Sequence, residues 1–189
     1  VFDAVTSLQT SSPRPLWFAA DFEAGTGARI YDGTIFPMNM AMGAADDTTL
    51  EEQYGRMVAR EARSMGVQLG FGPVADVNTE PFNPIISTRS FSDDPERVTR
   101  LARAFVAGAR AEGMLPCLKH YPGHGPTTSD SHSGLPVVSL SWSEMMNTHV
   151  KPYSNLLADT TIPIDFIMTA HVWYPAFDPG TTAWPATLS

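Results

Sequence analysis

An α/β fold built on a parallel sheet is what the chain predicts, on three observations. Short apolar runs alternate with longer amphipathic ones, glycines close the amphipathic runs, and the connections are long only after the apolar runs. The opening residues Val1-Phe2-Asp3-Ala4-Val5 read as the interior of a helix, which suggests a chain cut from a longer one. Residues 16–20 form the first apolar run and the first expected strand. A loop over 21–48 leads to a helix over 49–65, capped by Thr48 or Thr49 with Glu51 and Glu52 in its opening turn. Gly66 ends it as a left-handed cap, and residues 67–71 make the second strand. After a loop over 72–93, Asp93 or Asp94 followed by Pro95 starts a helix over 94–112, and Gly113 closes it. The third strand is expected over 115–119, a loop follows over 120–140, a helix over 141–157, and a fourth strand over 165–170.

Composition narrows the function. The 189 residues carry 12 Lys and Arg against 20 Asp and Glu, a net charge of −8, and the sequence pI is about 4.9. The cations are scattered, so the clustered positive surface that nucleic acids require is missing. A hydrophobic fraction of 43% with 17% charged residues suits a packed core. No apolar run approaches the roughly 18–20 residues of a membrane span. Cys117 is the single cysteine, which excludes an internal disulfide, and its neighbours Leu115 and Leu118 point to a buried structural thiol.

In α/β folds the loops after the carboxyl ends of the strands carry the chemistry. The densest polar stretch here is Lys119-His120-Tyr121-Pro122-Gly123-His124-Gly125-Pro126-Thr127-Thr128-Ser129-Asp130-Ser131-His132, which holds three of the five histidines. Lys119 and His120 end a strand, where an ammonium can donate to substrate hydroxyls. His120 and His124 have the spacing of a zinc-binding helix. Pro122 and Gly123 between them oppose a helix, so no metal site is expected. Asp130 and His132 are two apart, so in a tight turn the carboxylate can orient the imidazole and raise its basicity, as a general acid/base needs.

That stretch resembles the signature of family 3 glycoside hydrolases of the β-N-acetylglucosaminidase type. The resemblance implies a (β/α)8 barrel with the sugar at its carboxyl end. It implies His132 as proton donor with Asp130 as its partner, and Lys119 and His120 as sugar ligands. Asp21-Phe22-Glu23-Ala24-Gly25-Thr26-Gly27-Ala28-Arg29 resembles a further family segment, departing from it at Ala24, and implies Asp21 and Arg29 as sugar-binding. Arg89 in Arg89-Ser90-Phe91 and His171 after the fourth run complete the implied binding set, and Asp76 is implied to support its loop. His149, on an expected helix, reads as a surface residue. The loop from Gly123 to Gly134 has almost no apolar residue and is expected to be mobile.

The family's nucleophile is an Asp in a Ser-Asp-Asp-like segment with no counterpart here, since Asp93-Asp94 reads as a helix cap. A full barrel takes at least ~200 residues. Residues 1–189 are therefore expected to be a partial barrel domain of about four parallel strands, lacking the first strand and the C-terminal strands with the nucleophile, with sheet edges open to association. The resemblance implies release of terminal β-linked N-acetylglucosamine from a peptidoglycan-derived or similar glycan, with retention and without a cofactor. A β-glucosidase or glycoside phosphorylase of the same family is the alternative enzyme, and a non-catalytic glycan-binding module the alternative of another class. The Asp-Phe-Glu variant leans toward exported bacterial relatives rather than cytoplasmic ones.

Overall fold

The structure is a computed structural model that describes residues 1–180 and 182–189. Four parallel strands lie in sequence order: β1 (Ala19–Ala20), β2 (Leu69–Gly70), β3 (Leu115–Tyr121) and β4 (Phe166–Thr169). Among the described residues β1 and β4 are not paired with each other, so the sheet is open, as part of a barrel would be. The helices are α1 (Phe2–Ser11), α2 (Asn39–Ala45), α3 (Thr48–Ser64), α4 (Pro95–Ala111), α5 (Trp142–Glu144) and α6 (Lys151–Ala158). No helix is long and apolar enough to cross a membrane among the described residues.

The long helices start where their caps place them. For α3 the cap is Asp47 and not the expected Thr48 or Thr49, because its carboxylate accepts from the backbone N–H groups of Thr49 and Leu50 and Thr48 is already helical. Asp94 accepts from Glu96 N at 3.0 Å, with Pro95 first in the helix, so Asp94 is a cap and not a reactive carboxylate. Gly66 and Gly113, at φ of +83° and +78°, turn the chain into β2 and β3. α3 and α4 then pack against each other through glycines. A Cβ on Gly55 would lie 2.4 Å from the Phe105 carbonyl oxygen, and one on Gly108 would lie 2.0 Å from that of Glu52. This close approach seals a core that contains Val58, Leu101, Phe105, Leu118 and Tyr153. Burying a side chain such as Leu101 or Leu118 stabilises by about 1.5–3 kcal/mol. Cys117 is buried beside it, as its neighbours imply.

Further expectations need correction. The first two strands shrink to two-residue ladders, and just before β1 the Gln68 side chain accepts the Phe18 N–H at 2.8 Å in place of a ladder bond. Residues 21–48 are not all loop, since they contain α2, whose Met42 and Gly43 are buried against the body. The helix over 141–157 is broken. A Ser141–Glu144 capping box starts α5, a π-helical turn (Met145–His149) follows, and α6 resumes at Lys151. The π turn carries His149 inward, and the residue is 1% exposed rather than on the surface. Burial pushes its imidazole down to about 4, so the ring is neutral. Gly123 packs on it, and a Cβ there would lie 2.6 Å from His149 Cβ.

Candidate active site

At the carboxyl ends of the four strands lies an open cleft of about 710 Å³. It is lined by Asp21, Arg29, Arg89, Lys119, His120, His132 and His171, with Phe71, Ile85 and Met168 among its apolar residues. Every binding residue inferred above thus faces one cavity. Asp130 stands just behind His132, with its Oδ1 2.7 Å from His132 Nδ1.

β3 runs two residues further than expected, so Lys119 and His120 are inside it rather than at its end. A strand would normally send neighbouring side chains to opposite faces. The β3–β4 register slips between Lys119 and Tyr121, leaving His120 as an extra residue, and such a bulge re-aims side chains. Both Lys119 and His120 therefore reach the cleft. Lys119 is almost wholly enclosed, and its Nζ donates to Asp21 Oδ1 at 2.7 Å and contacts Glu23 Oε1 at 2.6 Å.

Glu23 was not among the expected site residues, yet it organises this wall. Its two oxygens accept from Arg89 Nε and Nη2 at 2.7 and 2.8 Å while it also faces Lys119. Burial alone would raise its pKa, but the Arg89 hydrogen bonds and the Lys119 charge outweigh it and hold the carboxyl at about 2. A signal existed in the sequence. Asp21 and Glu23 are two carboxylates two apart just after an apolar run, and both meet Lys119 Nζ. Arg89 is fixed further by donating to the Ile85 carbonyl at 2.9 Å.

Arg89 also approaches His120 Nε2 at 3.4 Å. An arginine only donates, so Nε2 accepts and Nδ1 carries the proton, which points at Asp76 Oδ2 2.7 Å away. Asp76 is fully buried. It receives His124 N at 2.6 Å and His120 N at 3.3 Å as well. Burial opposes its charge, but His120 and the His124 N–H prevail and its pKa is lowered. The Asp76 carboxylate therefore supports β3 and the start of the loop after it, rather than its own loop as expected.

The loop after β3 divides in two. Gly123, His124, Gly125 and Thr127 are buried, held by Asn83 Nδ2 on the carbonyls of His124 and Gly125, both at 3.0 Å, and by the Tyr174 hydroxyl on that of Gly123 at 2.9 Å. The expectation of a loop unanchored from Gly123 onward is thus wrong for this half, whose anchors are polar and distant in sequence. Residues 128–134 project outward. There Asp130 Oδ1 takes both His132 N, at 2.9 Å, and His132 Nδ1. These two contacts, the backbone one foremost, hold the Asp130 carboxyl below its ordinary value. The His120 and His124 rings pack edge to face with centroids 5.8 Å apart, their Nδ1 atoms face Asp76 and Thr127, and no cluster of three metal-ligating groups occurs among the described residues. Arg29 is exposed at the cleft edge, and His171 Nδ1 meets Thr187 Oγ1 at 2.8 Å.

Comparison with known proteins follows the same outline. The family model for the glycosyl hydrolase family 3 N-terminal domain matches residues 2–189. A beta-hexosaminidase A of Pseudoalteromonas piscicida is 39% identical over 175 residues, which are 90% of this chain and 29% of that protein. The solved family 3 beta-N-acetylglucosaminidase of Paenibacillus sp. str. FPU-7 superposes with a TM-score of 0.91 at 35% identity, over 98% of this chain and 35% of that one. A beta-glucoside phosphorylase, BglX, superposes with a TM-score of 0.90 at 31% identity, over all of this chain and 35% of the other. The chain thus spans about a third of the length of each of these three proteins.

Proposed function

The chain belongs to the glycosyl hydrolase family 3 N-terminal domain family, and from that premise we propose that it forms the sugar-binding and proton-transferring half of a β-N-acetylhexosaminidase. The substrate is a glycan ending in β-linked N-acetylglucosamine, of the kind derived from peptidoglycan. One observation carries the reading: a paired imidazole, His132, lines the same cleft as the enclosed Asp21–Lys119–Glu23–Arg89 array.

That array suits a terminal pyranose. Asp21 and the His120 Nε2 lone pair accept from sugar hydroxyls while Lys119 and Arg89 present donors, and their mutual pairing fixes them before the sugar arrives, so little ordering is left to oppose binding. The nucleophile is an Asp from a segment outside residues 1–189. It attacks the anomeric carbon as His132 protonates the departing glycosidic oxygen, which leaves a covalent glycosyl-enzyme. His132 then takes a proton from water, whose oxygen displaces the carboxylate, so the configuration is retained. Asp130 holds the His132 proton on Nδ1 and leaves Nε2 to cycle.

A second reading, release by phosphate instead of water, is favoured by the similarity to the beta-glucoside phosphorylase. One experiment separates them. The full-length protein is given an aryl β-N-acetylglucosaminide and an aryl β-glucoside, with and without phosphate. Free N-acetylglucosamine, formed at a rate independent of phosphate, supports the proposal. A sugar 1-phosphate, or preference for the glucoside, overturns it.

A further inference from the structure

We propose that His124 is a positioning residue that sets the Asp130–His132 pair over the cleft through a hydrogen bond to Ser131, a proposal that rests on the reading of His132 as the acid/base. Asp130 and His132 form a closed turn. Asp130 Oδ1 accepts from the N and Nδ1 of His132, and the Asp130 carbonyl accepts from Ser133 N. This fixes the pair internally and leaves its placement relative to the sugar open. Among the described residues, one hydrogen bond joins residues 128–134 to the rest of the protein, the 3.1 Å contact between Ser131 Oγ and His124 Nε2. Ser131 is the residue between the two partners.

His124 is built to receive it. The ring is 2% exposed, and its backbone is clamped at both ends, N–H on Asp76 and carbonyl on Asn83. Thr127 Oγ1 lies 2.9 Å from the His124 carbonyl and 2.8 Å from Nδ1. The hydroxyl has one proton, which goes to the carbonyl, so its lone pair faces a protonated Nδ1. Nε2 is left as an acceptor and Ser131 Oγ–H donates to it. Burial, which lowers the His124 pKa, keeps that lone pair free. Asp76 thereby holds His120 on the sugar side and, through His124 and Ser131, His132 on the proton-transfer side.

The test uses the full-length protein with Ser131→Ala, Ser131→Thr and, in parallel, His132→Ala. Each is measured on a glycoside with a poor leaving group and on one with an activated phenolate, and amide hydrogen exchange is followed over residues 128–134. Ser131→Ala is expected to lower kcat on the poor leaving group about ten- to a hundredfold, the effect of ~1 Å misplacement. KM stays put, the activated substrate loses far less, and exchange in 128–134 rises. Ser131→Thr, which keeps the hydroxyl, restores most of the loss. If His132→Ala discriminates between the substrates while Ser131→Ala matches the unaltered protein in rate and exchange, the positioning role is wrong. Equal loss on both substrates in Ser131→Ala, with a lowered melting temperature, reduces the contact to structure and also overturns it. If His132→Ala itself fails to discriminate, the acid/base reading falls and takes the proposal with it.

Discussion

Two Asp–His pairs flank the cleft with the same contact and opposite surroundings. Asp76–His120 and Asp130–His132 each bring a carboxylate oxygen to 2.7 Å from Nδ1. The side chains of the first pair are 0% and 15% exposed, those of the second 34% and 79%. In the first, the carboxylate also serves two backbone donors from β3 and the loop beyond it. In the second, all of its partners come from its own three-residue turn. A carboxylate that several buried elements share cannot move without stranding their N–H groups, so Asp76–His120 is a fixture. Among the described residues the outer pair is hydrogen-bonded to the body through Ser131 alone, so its carboxylate strands no buried group if the turn adjusts, which suits a group that must meet a leaving oxygen and then a water. Pair geometry alone does not assign a role; enclosure does.

The largest effect that would break this comparison is on catalysis. In the full-length protein, His132→Ala is expected to slow cleavage of a poor leaving group by ~10²–10⁴-fold. An activated phenolate, which leaves with little help, should suffer much less, and the melting temperature should hold. Steady-state rates on both substrates, with a melting curve, check this, and equal loss on both would erase the proposed difference in role.

Stability is the next lever. Asp76→Ala strands buried donors of His120 and His124 and is expected to cost about 3–5 kcal/mol in urea unfolding. Asp130→Ala should leave the unfolding midpoint where it is. Equal midpoints for the two variants would mean that enclosure does not distinguish the pairs.

Glu51 sharpens the point as a buried carboxyl with no partner. Neither oxygen has a hydrogen bond, and burial raises its pKa from 4.5 to about 8. The folded state therefore holds a proton that the unfolded chain releases. This contribution is fully present below pH 4.5 and is lost as pH rises toward 8, by up to about 1.4 kcal/mol per pH unit. Glu51→Met should flatten that decline when urea midpoints are compared at pH 5 and pH 8. An unchanged slope would show that Glu51 is not the group responsible.

The smallest expected effect is that of Asp130→Asn, which keeps the turn and weakens the orientation of His132. It should cost about tenfold on the poor leaving group, less than the loss of the imidazole. A loss equal to that of His132→Ala would make Asp130 a participant in its own right.

Features made by neighbours in the chain were legible in advance. α4 begins at Asp94 and both long helices end beside Gly66 and Gly113 as expected, because capping and left-handed turns are settled within a few residues, whereas α3 is capped by Asp47, one residue before the expected Thr48. The Asp130–His132 contact is of the same kind, a two-residue spacing that any tight turn can close, and the parallel order of four strands follows from the alternation of apolar and amphipathic runs. The roles of Glu23, His124 and His149 are different. Glu23 meets partners 66 and 96 positions along the chain, in Arg89 and Lys119. His149 turns inward because a π-helical turn and the packing of Gly123 require it, and His124 joins the outer turn to Asp76. Charge, burial and protonation at these positions depend on elements brought together only by packing, and a local pattern of residues carries no information about which distant groups will share a buried carboxylate.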